Sequence, residues 1–120
     1  MKVEVISTHR GGMWSWLFQR VTAVLLIVCL AIHLILTHIA NIGQIDMANI
    51  AARLAHGGLT AVDIILLAAG IFHALNGLRM VLMDYWFSSR ARALALTAGL
   101  WVVGLAFLGY GIWALWPWIG

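Results

Sequence analysis

With 120 residues, of which 64% are hydrophobic and only 9% charged, the chain lacks the polar surface a water-soluble fold requires, so its natural solvent is lipid. A bilayer crossing takes about 20 mostly apolar residues; stretches near 14–39, 60–86 and 91–116 qualify and leave no room for a separate soluble domain. The formal charge is a modest +3, and no nucleic-acid partner is expected; the expectation is an all-α fold, one transmembrane domain over 1–120.

The arm before Trp14 holds Lys2, His9 and Arg10. It is short and contains an acid, which fits a prokaryotic cell membrane better than an imported organelle protein. The first span is too long for a cleaved signal peptide, follows that arm and lacks a small-residue cleavage site. Polar and ionisable side chains inside a span are costly and by default mark a function or a partner. This span has Arg20, Thr22, His33, Thr37 and, at its far end, His38. Cys29 can make no intrachain disulfide and is expected to pack as a small hydrophobe.

The middle loop contains Asp46, Asn49, Arg53 and His56. Ile45, Ala48, Ala52 and Ala55 are spaced for a short amphipathic helix over about 45–56 on the outer surface. Gly57 and Gly58 are expected to break the chain before the second span. That span carries Asp63, His73, Asn76, Arg79, Asp84 and Tyr85, whereas the third has only Thr97 and Tyr110. The first two spans are therefore expected to hold the chemistry, with the third packing beside them and stopping near Pro117. Six of the seven basic residues flank the amino terminus or the second turn, and Arg53 stands alone in the other loop. By the positive-inside rule the amino terminus faces the cytoplasm and the carboxyl terminus lies outside; the terminal tryptophans form the interface belts.

At 1.5 Å per residue His73 lies about 13 Å from the cytoplasmic boundary and His33 about 24 Å, a difference of about 10 Å. Axial ligands of one haem must share a level, so these two are not expected to share one, and a second ligand for either would come from a partner membrane subunit. An intramembrane imidazole can instead bridge helices or line a water cavity. Gly70, Asn76, Gly77 and Met80 lie on the His73 face, where small residues would admit a flat macrocycle; Asp84 continues that face to the cytoplasmic edge. His33 has Cys29 and Thr37 on its face, and His9 and His56 are expected to be solvated. Ser15, Trp16 and Arg20 are expected level with Asp84 and Tyr85, giving donors for a quinone carbonyl at a lipid-open cleft. The plainer alternative is interfacial aromatics and a snorkelling arginine.

The run His73-Ala-Leu-Asn-Gly-Leu-Arg-Met-Val-Leu-Met-Asp84-Tyr85 resembles the second helix of succinate dehydrogenase membrane anchor subunits, with their His, three residues, Gly, then Asp-Tyr. Ser15-Trp-Leu-Phe-Gln-Arg20-Val-Thr-Ala resembles their first helix. In one anchor type the serine stands four residues before the arginine; here Trp16 holds that place and Ser15 is one residue earlier. The resemblance implies a b-type haem with His73 as one axial ligand, and a cytoplasmic-side quinone site formed by Tyr85, Asp84, Arg20, Trp16 and Ser15. His33 resembles the first-helix ligand of members that hold two stacked haems, so one haem or two are implied, shared with a second membrane anchor subunit. A flavoprotein subunit and an iron–sulfur subunit are implied as partners, since this chain has neither a glycine-rich dinucleotide loop nor a cysteine cluster. Electrons from succinate would then pass through the iron–sulfur subunit to quinone. The alternatives are the anchor of a fumarate reductase and a cofactor-free structural subunit.

Overall fold

The computed structural model describes residues 12–39, 46–86 and 89–119. Lys2, His9, Arg10 and Ile45 lie outside that set. Among the described residues four α-helices run in order: α1 (Gly12–Leu34), α2 (Met47–Leu54), α3 (Gly57–Tyr85) and α4 (Arg90–Ile119), with a π-helical turn, Ile35–Ile39, continuing α1. Among the described residues three helical segments are long and apolar enough to cross a bilayer: Gly12–Ile39, Gly57–Tyr85 and Arg90–Ile119. In hydrocarbon every backbone N–H and C=O must be satisfied within the chain, and an unbroken helix does this by itself.

The short helix α2 starts where Asp46, in extended conformation, accepts a hydrogen bond from the Asn49 backbone N–H at 2.8 Å. This is the side-chain cap a helix start needs. Its length falls inside the expected 45–56 window. The glycine break, however, is not where it was expected. Gly57 and Gly58 open α3 as its first helical residues, and the chain turns at Ala55–His56, with His56 as the N-cap residue. The turn is held without glycine freedom, because the His56 N–H donates to the Arg53 carbonyl and the Thr60 hydroxyl to the Leu54 carbonyl. Pro117 likewise does not end the last helix, which runs on to Ile119. So near a terminus, the missing proline N–H removes only one late backbone bond.

The middle layer is α3. It packs against α1 on one side and α4 on the other, while among the described residues no Cα of α1 comes within 8 Å of a Cα of α4. Small residues set both approaches. A side chain on Gly77 would meet Gln19 Nε2 at 3.1 Å and one on Gly70 would meet Leu26 Cδ2 at 3.7 Å. Across α3, Gly104 receives Leu75 and Ile71, and Gly111 receives Leu67. Close backbone approach is how helices adhere in lipid, where the hydrophobic effect does not drive them together. The glycines beside His73 therefore admit α1 of this same chain, which corrects the expectation that they admit a macrocycle.

Buried side chains are few among the described residues: Thr22, Cys29, Leu54, Thr60 and Ala69. Cys29 is buried and free, as a small apolar packer should be. On α4 nothing is buried, and Trp101, Val102, Phe107 and Trp113 are all at least 60% exposed. A surface this apolar is suited to lipid or to a neighbouring membrane helix.

Candidate functional site

Two polar clusters join α1 to α3, one at each end of their contact. The first is neutral. Ser15 Oγ donates to Asn76 Oδ1 at 2.7 Å, and Asn76 Nδ2 donates to Gln19 Oε1 at 2.8 Å and to the Ser15 carbonyl at 3.2 Å. Gln19 Nε2 then donates to the His73 carbonyl at 3.1 Å. Every one of these groups finds its partner on the opposite helix.

His73 sits at the inner edge of this cluster, half-buried, with Nδ1 at 3.2 Å from the Gln19 carbonyl and 3.2 Å from Thr22 Oγ1. A carbonyl only accepts. Thr22 Oγ1 already donates its proton to the Phe18 carbonyl at 2.7 Å, so toward the ring it too accepts. Both neighbours therefore require the proton on Nδ1, which leaves the Nε2 lone pair available. Among the described residues nothing hydrogen-bonds Nε2. Fixing the tautomer through the far nitrogen is what a metal-ligating histidine needs, so the donor set suits a haem that takes one imidazole from this chain.

The second cluster is charged. Asp63 accepts from His33 Nδ1 on one carboxylate oxygen at 2.8 Å and from Arg53 Nη1 on the other at 2.9 Å. The three side chains, from α1, α2 and α3, are only 27%, 20% and 13% exposed respectively for His33, Arg53 and Asp63. The expected face of His33, with Cys29 and Thr37, omitted this partner. The signal was present in the sequence as an acid within a span and a lone arginine in the preceding loop, two charges each needing the other. His56, the N-cap residue of α3, is exposed, as expected of a solvated side chain.

Levels along the bundle follow from these bonds. Thr22 stands beside His73 and His33 beside Asp63, ten residues from His73 on α3, so the two imidazoles differ in level by about 15 Å. The expected separation, about 10 Å, was smaller. The expected quinone cluster fares differently. Ser15 is level with Asn76, and Arg20 stacks on Trp16, its guanidinium carbon 4.6 Å from the ring centre. Arg20 lies next to Gln19, hence near the His73 level. Tyr85 is twelve residues further along α3 than His73, about 18 Å away, and is 78% exposed. Asp84 beside it is exposed too. Ser15, Trp16 and Arg20 are thus not level with Asp84 and Tyr85. The cause is the Ser15–Asn76 pairing, which slides α1 deeper along α3 than equal span lengths suggest.

A third feature was not legible as a site. Because the backbones of α1 and α4 stay apart, a cleft of about 400 Å³ stays open over α3. Its walls include Phe18, Phe72, Leu75, Trp101 and Leu108, and its polar end holds Ser15, Asn76, Arg79 and Thr97. His73 is not among its lining residues.

Comparison with known proteins agrees with a membrane-spanning chain. The family described as succinate dehydrogenase/fumarate reductase transmembrane subunit matches residues 3–116. The chain is 31% identical over 102 residues to succinate dehydrogenase 2 membrane subunit SdhC of Mycobacterium tuberculosis, covering 83% of this chain and 73% of that one. It is 36% identical over 70 residues to a succinate dehydrogenase hydrophobic membrane anchor subunit of Archaeoglobus fulgidus, covering 58% and 60%. It is also 32% identical over 84 residues to the subunit so named in Rickettsia felis, covering 70% and 68%. No solved structure matches the chain.

Proposed function

This chain belongs to the succinate dehydrogenase/fumarate reductase transmembrane subunit family, and from that premise we propose that it binds haem b through His73 and forms part of a quinone-reducing site. It is a multi-pass membrane anchor subunit of succinate dehydrogenase, and such a subunit associates with the rest of its complex. The flavoprotein, the iron–sulfur protein and a second membrane anchor are the proposed partners. The amino terminus, with the basic residues near it and at the second turn, faces the cytoplasm of a prokaryotic cell.

One observation carries the haem reading: the Gln19 carbonyl and Thr22 hydroxyl hold the proton on His73 Nδ1 and present Nε2 as a ligand. A haem held there would supply a one-electron store within the membrane. Among the described residues a single imidazole stands at that level, so a further protein ligand to the haem would have to come from the second anchor. Tyr85 and Asp84 form this chain's share of the quinone site. The phenol donates to a quinone carbonyl, and Asp84, exposed at the helix end, exchanges protons with the aqueous side. The pair Arg20 and Trp16 belongs to the His73 level, too far from Tyr85 for one headgroup to touch both, and the Ser15 hydroxyl is taken by Asn76. A second haem at His33 is the second reading, favoured by the carboxylate that orients its Nδ1.

Dithionite reduction of the purified complex tests the first claim. A b-type absorption band should appear, and His73→Ala should abolish or shift it; an unchanged band in that variant overturns the assignment. If His33 binds a second haem, His33→Ala halves the haem content. For the quinone site, Tyr85→Phe should slow quinone reduction while succinate oxidation with a soluble dye continues, and equal loss of both activities would remove Tyr85 from it.

A further inference from the structure

The cleft over α3 is a strong candidate for a site outside the haem and quinone assignments, because its polar end holds a cation without a counter-ion. Arg79 Nε donates to Thr97 Oγ1 at 2.9 Å, and among the described residues no carboxylate pairs with the guanidinium. The other polar groups at that end are already committed. Ser15 donates to Asn76, the Asn76 amide donates to Gln19 and to the Ser15 carbonyl, and the Thr97 hydroxyl donates to the Ala93 carbonyl at 2.8 Å. What remains is the Nη edge of one arginine, a planar two-donor fork that matches a phosphate.

We propose that this cleft binds a membrane phospholipid, with Arg79 on the phosphate and one acyl chain lying between α1 and α4. The level is right for it: Arg79 lies six residues before the end of α3 at Tyr85, about 9 Å below that end, within reach of the headgroup layer for a long side chain. From there the walls are apolar. Leu75 and Phe72 of α3, Phe18 of α1, and Trp101 and Leu108 of α4 line the slot toward mid-membrane. A quinone fits this end poorly, because its two carbonyls lie on opposite edges of the ring and need donors on both sides, whereas the cleft offers one fork. Gly104, closed over by Leu75 and Ile71, forms the floor between α3 and α4. The lipid would fill the gap that the α1–α3–α4 order leaves open.

The test is native mass spectrometry of the whole purified complex after detergent exchange, with dioleoylphosphatidylglycerol added back as the probe. The intact complex should retain phospholipid, and Arg79→Gln should reduce occupancy about tenfold, as loss of a charge-assisted hydrogen bond implies. Arg79→Lys should keep most of it, and Leu108→Trp, which fills the slot while leaving the arginine, should also lower it. Dye-linked succinate oxidation and the mass of the complex report whether each variant assembles. A wild-type complex that binds no probe after delipidation overturns the proposal without reference to any variant. Equal occupancy in wild type and Arg79→Gln does so as well. So does a photo-crosslinker at Leu108 that reacts with the second anchor subunit instead of lipid.

Discussion

The two ends of the α1–α3 contact hold the same pair of helices together with opposite chemistry. Toward the start of α1, Ser15, Gln19, Thr22, His73 and Asn76 share neutral hydrogen bonds that leave one ring nitrogen free. Some 15 Å away, His33, Asp63 and Arg53 form a charged chain in which both oxygens of the carboxylate are used. The neutral end fixes one imidazole; the charged end ties α2 down onto the two spanning helices. A neutral cluster loses little when one bond goes, because other groups in it still have partners. The charged cluster stripped of its central acid leaves the Arg53 charge with nothing to offset it and His33 Nδ1 without its acceptor, in a medium that solvates charge badly.

Asp63→Ala should show that contrast most strongly. It strands Arg53 and His33, and a loss on the order of 3 kcal/mol is expected, read as a lower thermal midpoint of the purified complex. A variant as stable as wild type would mean that the charged chain braces nothing. Replacing both members, Asp63→Leu with Arg53→Met, should recover much of that loss, since removing a whole buried pair is often close to neutral. No recovery would point to packing, and not charge, as the reason for the first result. At the other end, Asn76→Leu removes the bonds to Ser15 and Gln19 and should cost about 1 kcal/mol. A penalty as large as that of Asp63→Ala would erase the distinction between the two ends. The smallest expected effect is Thr22→Val, roughly 0.6 kcal/mol, since the Gln19 carbonyl still holds His73 Nδ1. Its more telling readout is the reduced absorption band, which should shift in Thr22→Val and stay in place in Thr22→Ser.

Fold class could be read from the residues because lipid imposes it. The apolar runs around Trp14, Thr60 and Ala91 could only be helices, and α1, α3 and α4 begin within three residues of those positions. A short helix was also expected over 45–56, but Ala48, Ala52 and Ala55 of its expected apolar stripe stay exposed, and it packs through Ile50, Ala51 and Leu54 instead. His73 stood out by being an imidazole at mid-span, and the structure adds the detail no spacing contains, that Thr22 and the Gln19 carbonyl decide which nitrogen is free. Sequence reasoning failed on register. Equal span lengths gave no hint that Ser15 would pair with Asn76, and so Arg20 was placed beside Tyr85 instead of near His73. The Arg53–Asp63–His33 chain was missed because its members belong to three helices, and nothing local joins them.

Composition and hydropathy therefore determined that this chain crosses a membrane three times, and motif spacing singled out the histidine. Both follow from one-body energies, the cost of each side chain or peptide group in hydrocarbon, which a linear string records. Depth of one helix against the next, the tautomer of His73, the partner of Asp63 and the open slot beside Arg79 are two-body and three-body facts. Only the packed helices decide them, because they depend on which small residue lets which neighbour approach.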